Sequence, residues 1–265
     1  MQLYELIEGT SPLIISIPHA GEFIPEDIVS RLTDKAKDIP DTDWYVDRLY
    51  RFAEKENATI IKSNYSRYVI DLNRNPSDVS LYPGQFATSL CPVRTFEDKP
   101  VYLHEEALEQ DEVDHRIERY WWPYHQEIQR QINRSLNKHG FVVLLDAHSI
   151  ASVVPTLFDG QLPDFNLGTN DGQSCADSLT STLDTLDFSP YTKVVNGRFK
   201  GGYITRHYGQ PDKHVHTVQL ELSQAAYMDE DNSSWSEDKH GLVSARLKHL
   251  VHTLQNWCND QPVGI

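Results

Sequence analysis

The amino-acid sequence predicts an α/β protein whose mixed, mostly parallel sheet carries helices on both faces. The first observation is that short apolar runs alternate with segments of helical periodicity, as in sheets built from crossover units. The second is that 265 residues, 39% of them hydrophobic, are ample for one large core. We therefore expect residues 1–265 to form a single domain.

Six short runs are predicted to be strands. Apolar residues dominate most of them, and alternation of apolar and polar residues marks the last one. The predicted strands are residues 13–17, 59–63, 69–72, 141–146, 194–195 and 217–222. Parallel strands need long crossover connections, so helices are expected between them.

Helical periodicity is clearest in the middle of the chain. Apolar residues recur at spacings of three and four between Ile117 and Leu136, Gly140 is a stop signal, and Pro123 should kink or break the helix. The predicted helices are residues 25–36, 44–56, 112–138, 174–186 and 241–258. Residues 75–104 hold four prolines and little periodicity, which predicts a long ordered loop of the kind that is often functional.

Composition narrows the class of partner. The formal net charge of −15 argues against nucleic acid and anionic membrane surfaces. No apolar run approaches the roughly 20 residues of a membrane helix, and no signal peptide is visible. The three cysteines have no metal-type spacing and indicate reduced thiols. We therefore expect a cytoplasmic protein with a small-molecule partner, and an anionic partner would require local positive charge.

Two of the predicted strands lead into histidines, His19 and His148. Ligands of open α/β sheets bind beyond the carboxyl ends of the strands, and a catalytic zinc usually takes three protein ligands and leaves a position for water. Glu22 and Asp43 are both candidates for the third ligand, and Asp146 is a candidate acceptor for the ring of His148. The alternative is that both histidines are polar strand-end residues bonded to backbone.

Arginines in two motifs are candidates for binding a carboxylate. Arg67 and Arg74 flank one predicted strand, and Asn73 beside them could orient a ligand with its amide. A guanidinium binds a carboxylate through two parallel hydrogen bonds. Arg198 and Arg206 lie in a glycine-rich stretch, residues 196–211, whose density of cations favours an anion. The alternatives are surface ion pairs and a flexible surface loop.

Glu221 is a candidate general base. Apolar residues alternate with polar ones from Thr217 to Leu222, which predicts a strand, and Glu221 lies on its polar face. A carboxylate in a buried strand is costly unless it is paired or used, so it is suited to take a proton from a metal-bound water. The alternative is an edge strand with a solvated face.

Seven motifs occur in a characteristic order. They are SIPHAG, PDTDW, SRYVIDLNR, LLDAHSI, LFDGQLPDFNLGT, NGRFKGGYITRHYG and VQLEL. This set resembles the N-formylglutamate amidohydrolase family, over about residues 11 to 230. The resemblance implies an α/β fold that is distantly similar to zinc carboxypeptidases and aspartoacylases.

The resemblance also implies roles for the candidate residues. One divalent metal, zinc, would be bound by His19, His148 and an acid. Asp43 is favoured over Glu22 as that acid because it lies inside the PDTDW motif, whereas the family motif PHAG requires no acid at position 22. Glu221 would be the base.

The substrate would be a small anionic amino-acid derivative. Arg74 with Asn73 would hold one carboxylate and Arg206 the other, with Arg67 and Arg198 in support. The implied activity is hydrolysis of N-formyl-L-glutamate to formate and L-glutamate, the last step of a histidine degradation route. The alternatives are a metal-dependent deacylase of another N-acyl acidic amino acid and a non-catalytic binding protein for acidic amino acids.

Overall fold

A seven-stranded mixed sheet organises the protein, for which we obtained a computed structural model that describes residues 1–79, 87–104 and 108–261. Its strands are β1 Tyr4–Ile7, β2 Leu13–Ile17, β3 Thr59–Ser63, β4 Val142–Ile150, β5 Phe165–Gly168, β6 Lys193–Val195 and β7 Val215–Ser223. The order across the sheet is β1-β3-β2-β4-β7-β5-β6. Only β1–β3 and β5–β7 pair antiparallel, and the other four pairings are parallel. The predicted fold class is therefore confirmed.

Helices cover both faces of this sheet. They are α1 Glu26–Val29, α2 Asp34–Lys37, α3 Val46–Tyr50, α4 Gln110–Arg116, α5 Trp122–His139, α6 Asp177–Thr185, α7 Tyr203–Tyr208 and α8 His240–Asn259. One hydrophobic cluster joins α3, α6 and α8 to one face of β4 and β7, and a second joins α5 and α7 to the opposite face. A short hairpin, β8 Met228–Asp229 with β9 Ser234–Trp235, follows β7. None of the helices in the described part of the chain could cross a membrane.

Two of the strand predictions match the observed bounds. Residues 13–17 and 59–63 form strands with the predicted bounds, whereas β4 and β7 each extend to nine residues. The strand predicted at residues 69–72 is wrong. Its backbone groups bond instead to Leu90, whose carbonyl accepts from Asp71 N at 2.7 Å, and to the buried Arg116, whose Nη1 donates to Val69 O at 2.9 Å. The strands β1 and β5 were not predicted, because both are short and their sequences are mixed.

The central helix is longer and less regular than predicted. It runs from Gln110 to His139, with a π-helical segment, Ile117–Trp121, between α4 and α5. Pro123 is the second residue after the π segment, and the adjoining wider turn accommodates a residue without an N–H. Gly140 ends the helix with a φ of 81°, and its N–H donates to Leu136 O at 2.8 Å.

The other helix predictions are confirmed in position, with some breaks. The helix predicted at residues 25–36 is two short helices, α1 and α2, and the one at 44–56 is α3 followed by a 3₁₀ turn. The glycine-rich stretch 196–211, considered as a loop, contains α7. The predicted loop 75–104 carries no helix or strand in its described residues 75–79 and 87–104, and residues 80–86 lie outside the described chain.

Gly21 shows how tightly the chain packs after β2. A Cβ at this position would lie 2.5 Å from Tyr65 O and 2.6 Å from Tyr65 N. The neighbouring Phe23 donates its N–H to Asn64 O at 3.1 Å, so the turn after β2 is fixed against the turn after β3. This close approach explains the glycine that ends the PHAG motif.

Gly21→Ala is therefore expected to lower the free energy of unfolding by about 1–3 kcal/mol, the usual cost of overpacking a site that cannot move. Chemical denaturation measures the change. Gly241→Ala is the matched control, because a Cβ there meets nothing within 4 Å and should change stability by no more than about 1 kcal/mol. Equal stability of Gly21→Ala and the wild-type protein would contradict the packing described here.

Candidate active site

The polar residues of β4 and β7 lie on one face of the sheet. In the parallel register Asp146 is opposite Gln219, and His148 is opposite Glu221. Because alternate residues of a strand share a face, these four follow the apolar residues of the same face towards the carboxyl ends of both strands. His148 therefore lies within β4. The expectation that the strand ends at Asp146 is wrong, because all nine residues of β4 are buried and paired.

Three side chains converge at this end of the sheet. His19 follows β2, as predicted, and its carbonyl accepts from Asp43 N at 3.1 Å. Asp43 Oδ2 lies 2.9 Å from His148 Nδ1 and 3.8 Å from His19 Nδ1. One potential ligand atom from each of the three lies within 4.8 Å of the others, and all three residues are buried. This arrangement could hold a metal ion.

The outer nitrogen of each imidazole is held by a carboxylate. His19 Nε2 lies 2.8 Å from Asp71 Oδ1, and His148 Nε2 lies 3.0 Å from Asp146 Oδ2. Carboxylate partners of this kind fix the tautomer and the orientation of a metal-binding histidine. In both rings they leave Nδ1 directed at Asp43. The acceptor role anticipated for Asp146 is consistent with this contact.

Burial and neighbouring charges together shift the pKa values of the clustered side chains. Burial, reinforced by the Arg67 guanidinium, lowers the pKa of His19. Burial alone would lower the pKa of His148 too, but the carboxylates of Asp146 and Asp43 raise it well above its usual value. Burial opposes ionisation of Asp71, yet His19 and Arg67 hold its pKa well below the ordinary range. The contacts of the His19 ring suit a proton on Nε2, since Nε2 faces the Asp71 carboxylate and Nδ1 faces the Arg67 guanidinium, which can only donate.

Arg67 supplies the positive charge nearest to the three converging side chains. It is itself buried, and its Nη2 donates to Asp43 Oδ1 at 2.9 Å and contacts His19 Nδ1. The guanidinium also lies over the ring of Phe96, 4.8 Å from the ring centroid.

Glu22 is exposed and is not part of the cluster that His19, Asp43 and His148 form. The geometry therefore favours Asp43 as the carboxylate of the group. The backbone hydrogen bond from Asp43 N to His19 O holds Asp43 beside His19, whereas the Glu22 side chain is exposed.

Glu221 is buried beside the cluster. Its Oε2 accepts from Gln219 Nε2 at 3.3 Å, on the same face of β7. Burial raises the pKa of Glu221 to about 8, although the positive charge of His148 opposes that rise. The carboxyl group can therefore exchange a proton near neutral pH.

A cavity of about 130 Å³ opens onto these residues. Among its described lining residues are His19, His148 and Glu221 together with three arginines, Arg67, Arg74 and Arg198. In a chain of charge −15, this local concentration of positive charge suits a small anion. Phe96, Leu157, Phe199 and Ile150 contribute apolar wall.

The candidate carboxylate-binding residues divide into two groups. Arg74 is partly buried, donates from Nη2 to Thr88 Oγ1 at 3.1 Å and lies 3.7 Å from Asp71 Oδ2 through Nε. Arg198 donates from Nε to Leu157 O at 2.6 Å. Arg206 lies on α7, with its Nε bonded to Gly201 O at 2.8 Å, and it is not among the described lining residues of the cavity.

Asn73 lines the cavity, but its amide is bonded to protein. Its Nδ2 donates to Asp146 Oδ2 at 2.9 Å and lies 2.9 Å from His148 Nε2, while its Oδ1 accepts from Ile204 N at 2.8 Å. Gly202 packs directly on this amide, since a Cβ there would lie 2.5 Å from Asn73 Nδ2. The glycine-rich stretch therefore brings α7 close to the imidazole of His148.

Two functional contacts escaped the sequence analysis. Asp71 is not among the predicted site residues, because its bond to His19 joins residues far apart in the chain. Gln219 was visible as a polar neighbour on the face of Glu221, and the period-two alternation of β7 could have identified it. Together the fold and the site define an enzyme site for a small anionic molecule.

Comparison with known proteins identifies the family. A sequence model of the N-formylglutamate amidohydrolases matches residues 11–228, and the chain belongs to this family. It is 44% identical to the N-formylglutamate deformylase of Pseudomonas putida over 253 residues, which cover 94% of each chain. It is also 44% identical to that of Pseudomonas aeruginosa, with 96% of each chain covered. The protein is therefore a hydrolase that acts on an amide, as the resemblance implied.

Solved structures agree with this assignment. The N-formylglutamate amidohydrolase from Ralstonia eutropha JMP134 superposes with a TM-score of 0.85 at 25% identity, covering 98% of this chain and 99% of that one. A gene product of Agrobacterium tumefaciens shares the fold, with a TM-score of 0.74 at 18% identity and coverage of 98% and 97%.

Proposed function

We propose that the protein hydrolyses N-formyl-L-glutamate to formate and L-glutamate, as the last step of a histidine degradation route. The observation that carries the proposal is the single cavity that combines His19, His148 and Glu221 with three arginines. The N-formylglutamate deformylases to which the chain is 44% identical support the choice of substrate. A substrate with two carboxylates also accounts for three arginines around one cavity in a chain of net charge −15.

His19, Asp43 and His148 would hold one divalent metal, zinc, through two imidazoles and a carboxylate. These donors fit a catalytic zinc, which takes three such protein ligands. The outer nitrogens bonded to Asp71 and Asp146 support the fit, because each ring then presents Nδ1 on the side of Asp43. A bound ion would take the place of the contact that His19 Nδ1 now makes with Arg67 Nη2. When bound, the ion would lower the pKa of a water molecule and polarise the formyl carbonyl. The same donor set is the basis for relating the site to zinc carboxypeptidases and aspartoacylases.

Glu221 would accept the proton of the attacking water and deliver it to the leaving nitrogen. The water oxygen forms a bond to the formyl carbon, and the bond from that carbon to the glutamate nitrogen breaks as the nitrogen takes the proton. Burial beside Gln219 keeps Glu221 away from bulk solvent, so the proton is retained between the two transfers.

Arg67 would stabilise the oxyanion that develops on the formyl oxygen. Its guanidinium already lies against His19 and Asp43, and it is buried, so it would act in a site of low polarity. A well-placed donor of this kind contributes about 3–4 kcal/mol to a transition state.

Arg74 and Arg198 would bind the two carboxylates of the substrate. Both line the cavity, whereas Arg206, which lies on α7 and donates to Gly201 O, would act indirectly. Asn73, which is bonded to Asp146 and Ile204 N and contacts His148, would set the position of Arg74 and of α7. The alternative activity, deacylation of other N-acyl acidic amino acids, is distinguished from deformylation by comparing kcat/KM for formyl-glutamate with kcat/KM for acetyl-glutamate.

The first prediction concerns the ligands. Asp43→Ala and His148→Ala should each lose bound metal and activity, since each removes a donor from a site with only three. Glu22→Gln is the matched control and should keep both. Metal content after purification without chelator measures this. Retention of stoichiometric metal in Asp43→Ala, with loss in Glu22→Gln, would contradict the assignment.

The second prediction concerns Glu221. Glu221→Gln keeps the size of the side chain but cannot accept a proton. It should keep metal content and melting temperature, while kcat falls by about 10²–10⁴-fold. Loss of metal would instead make Glu221 a ligand, and a lower melting temperature with normal kcat would make it structural.

The third prediction concerns the substrate carboxylates. Arg74→Met should cost about 2–5 kcal/mol in kcat/KM, because a buried substrate carboxylate would lose its partner. Arg74→Lys should recover only part, since the two-pronged contact is lost. Arg206→Met is the comparison variant and should cost less. Steady-state kinetics measure these effects, and a larger loss in Arg206→Met would reverse the assignment of the two arginines.

A further inference from the structure

The segment of residues 71–74 contacts both imidazoles of the site. Asp71 bonds to His19 Nε2, Asn73 contacts His148 Nε2, and Arg74 lines the cavity. This segment is not a strand, so no sheet ladder fixes its backbone. Its backbone is held instead by Leu90 O, which accepts from Asp71 N, by Tyr203 N, which donates to Asn73 O, and by two side chains of the central helix.

Trp121 and His125 each donate to one backbone carbonyl of the segment. The indole Nε1 of Trp121 donates to Arg74 O at 3.0 Å, and His125 Nε2 lies 2.9 Å from Leu72 O. Leu72 is the residue between Asp71 and Asn73. The two donors therefore hold the backbone on either side of Asn73.

The donors are themselves locked in place. The rings of Trp121 and His125 are stacked, with centroids 3.7 Å apart and planes inclined by 23°. His125 Nδ1 lies 3.0 Å from the Tyr208 hydroxyl on α7. Burial lowers the pKa of His125 to about 3, so the ring carries one proton. Because a carbonyl can only accept, that proton is on Nε2, facing Leu72.

Trp121 and His125 reach the same segment because they lie on one face of the helix. They are four positions apart, and residues at this spacing are neighbours on a helix surface. Trp121 is also the last residue of the π-helical segment Ile117–Trp121, and single π turns inside α-helices are frequent at functional sites.

We propose that Trp121 and His125 are positioning residues, which hold residues 71–74 so that Asp71 and Asn73 orient the two imidazoles and Arg74 faces the substrate. The inference rests on the proposed function for its readouts, namely metal affinity and KM. It assigns to the central helix a part in the site although that helix contributes no residue to the lining of the described cavity.

Variants of His125 test the contact with Leu72. His125→Leu removes the donor at similar volume and is expected to weaken metal affinity by about 10–100-fold, the usual effect of losing an outer partner of a metal ligand. His125→Gln can still donate to Leu72 O and should remain within about threefold of the wild type. Zinc competition with a chromophoric chelator measures the affinities, and circular dichroism confirms the fold.

Variants of Trp121 test the contact with Arg74. Trp121→Phe keeps an aromatic ring for stacking but removes the N–H, and should raise KM about 3–10-fold with little change in kcat, as expected for one lost hydrogen bond. Trp122→Phe is the matched control, because Trp122 is 47% exposed, and it should keep the wild-type KM.

The outcomes separate the two proposals. If wild-type protein binds no metal, the proposed metal site fails, while the KM comparison of Trp121→Phe and Trp122→Phe still tests the positioning role. If wild-type protein binds metal and is active, but His125→Leu and Trp121→Phe lower only the melting temperature and leave metal affinity and KM unchanged, the positioning role is overturned. Failure of His125→Gln to recover the metal affinity that His125→Leu loses would also overturn it.

Discussion

The arrangement of the site depends on the bonds between two imidazoles and their outer carboxylates. Asp71 holds His19 and Asp146 holds His148, each through Nε2. Because both rings are fixed at their outer edge, both Nδ1 atoms point inward at Asp43. Without these bonds the rings could rotate, and three donors from three parts of the chain would not converge on one point.

The buried carboxylates of this arrangement oppose folding. Asp43, Asp71, Asp146 and Glu221 are all buried, and unpaired buried carboxylates strongly destabilise a protein. The chain offsets this cost with Arg67, which bonds to Asp43, and with the imidazoles. Glu221 has weaker support, and burial accordingly raises its pKa to about 8. The residue least stabilised as an ion is thus the one proposed to exchange protons.

The sequence predicted those features that depend on local pattern. The largely apolar run of residues 13–17 predicted β2 with its observed bounds, and with it the position of His19. The same reasoning placed the end of β4 at Asp146, although the strand continues to Ile150. In a sequence, polar residues that line a buried site resemble the end of a strand. Residues 69–72 are buried and three of the four are apolar, yet they form no strand, since Arg116 and Leu90 bond to their backbone groups. The motif resemblance identified the family and favoured Asp43, but the bond between Asp71 and His19 and the position of Arg206 outside the described lining required coordinates. Those contacts join distant segments, and no local spacing encodes them.

The most direct test of the account is a crystal structure of the metal-loaded protein with anomalous scattering recorded at the metal edge. The account predicts one anomalous peak bonded to Nδ1 of His19, Nδ1 of His148 and the carboxylate of Asp43, with each Nε2 still bonded to its outer carboxylate. A peak bonded to Nε2 of either histidine, or a site that excludes Asp43, would contradict it.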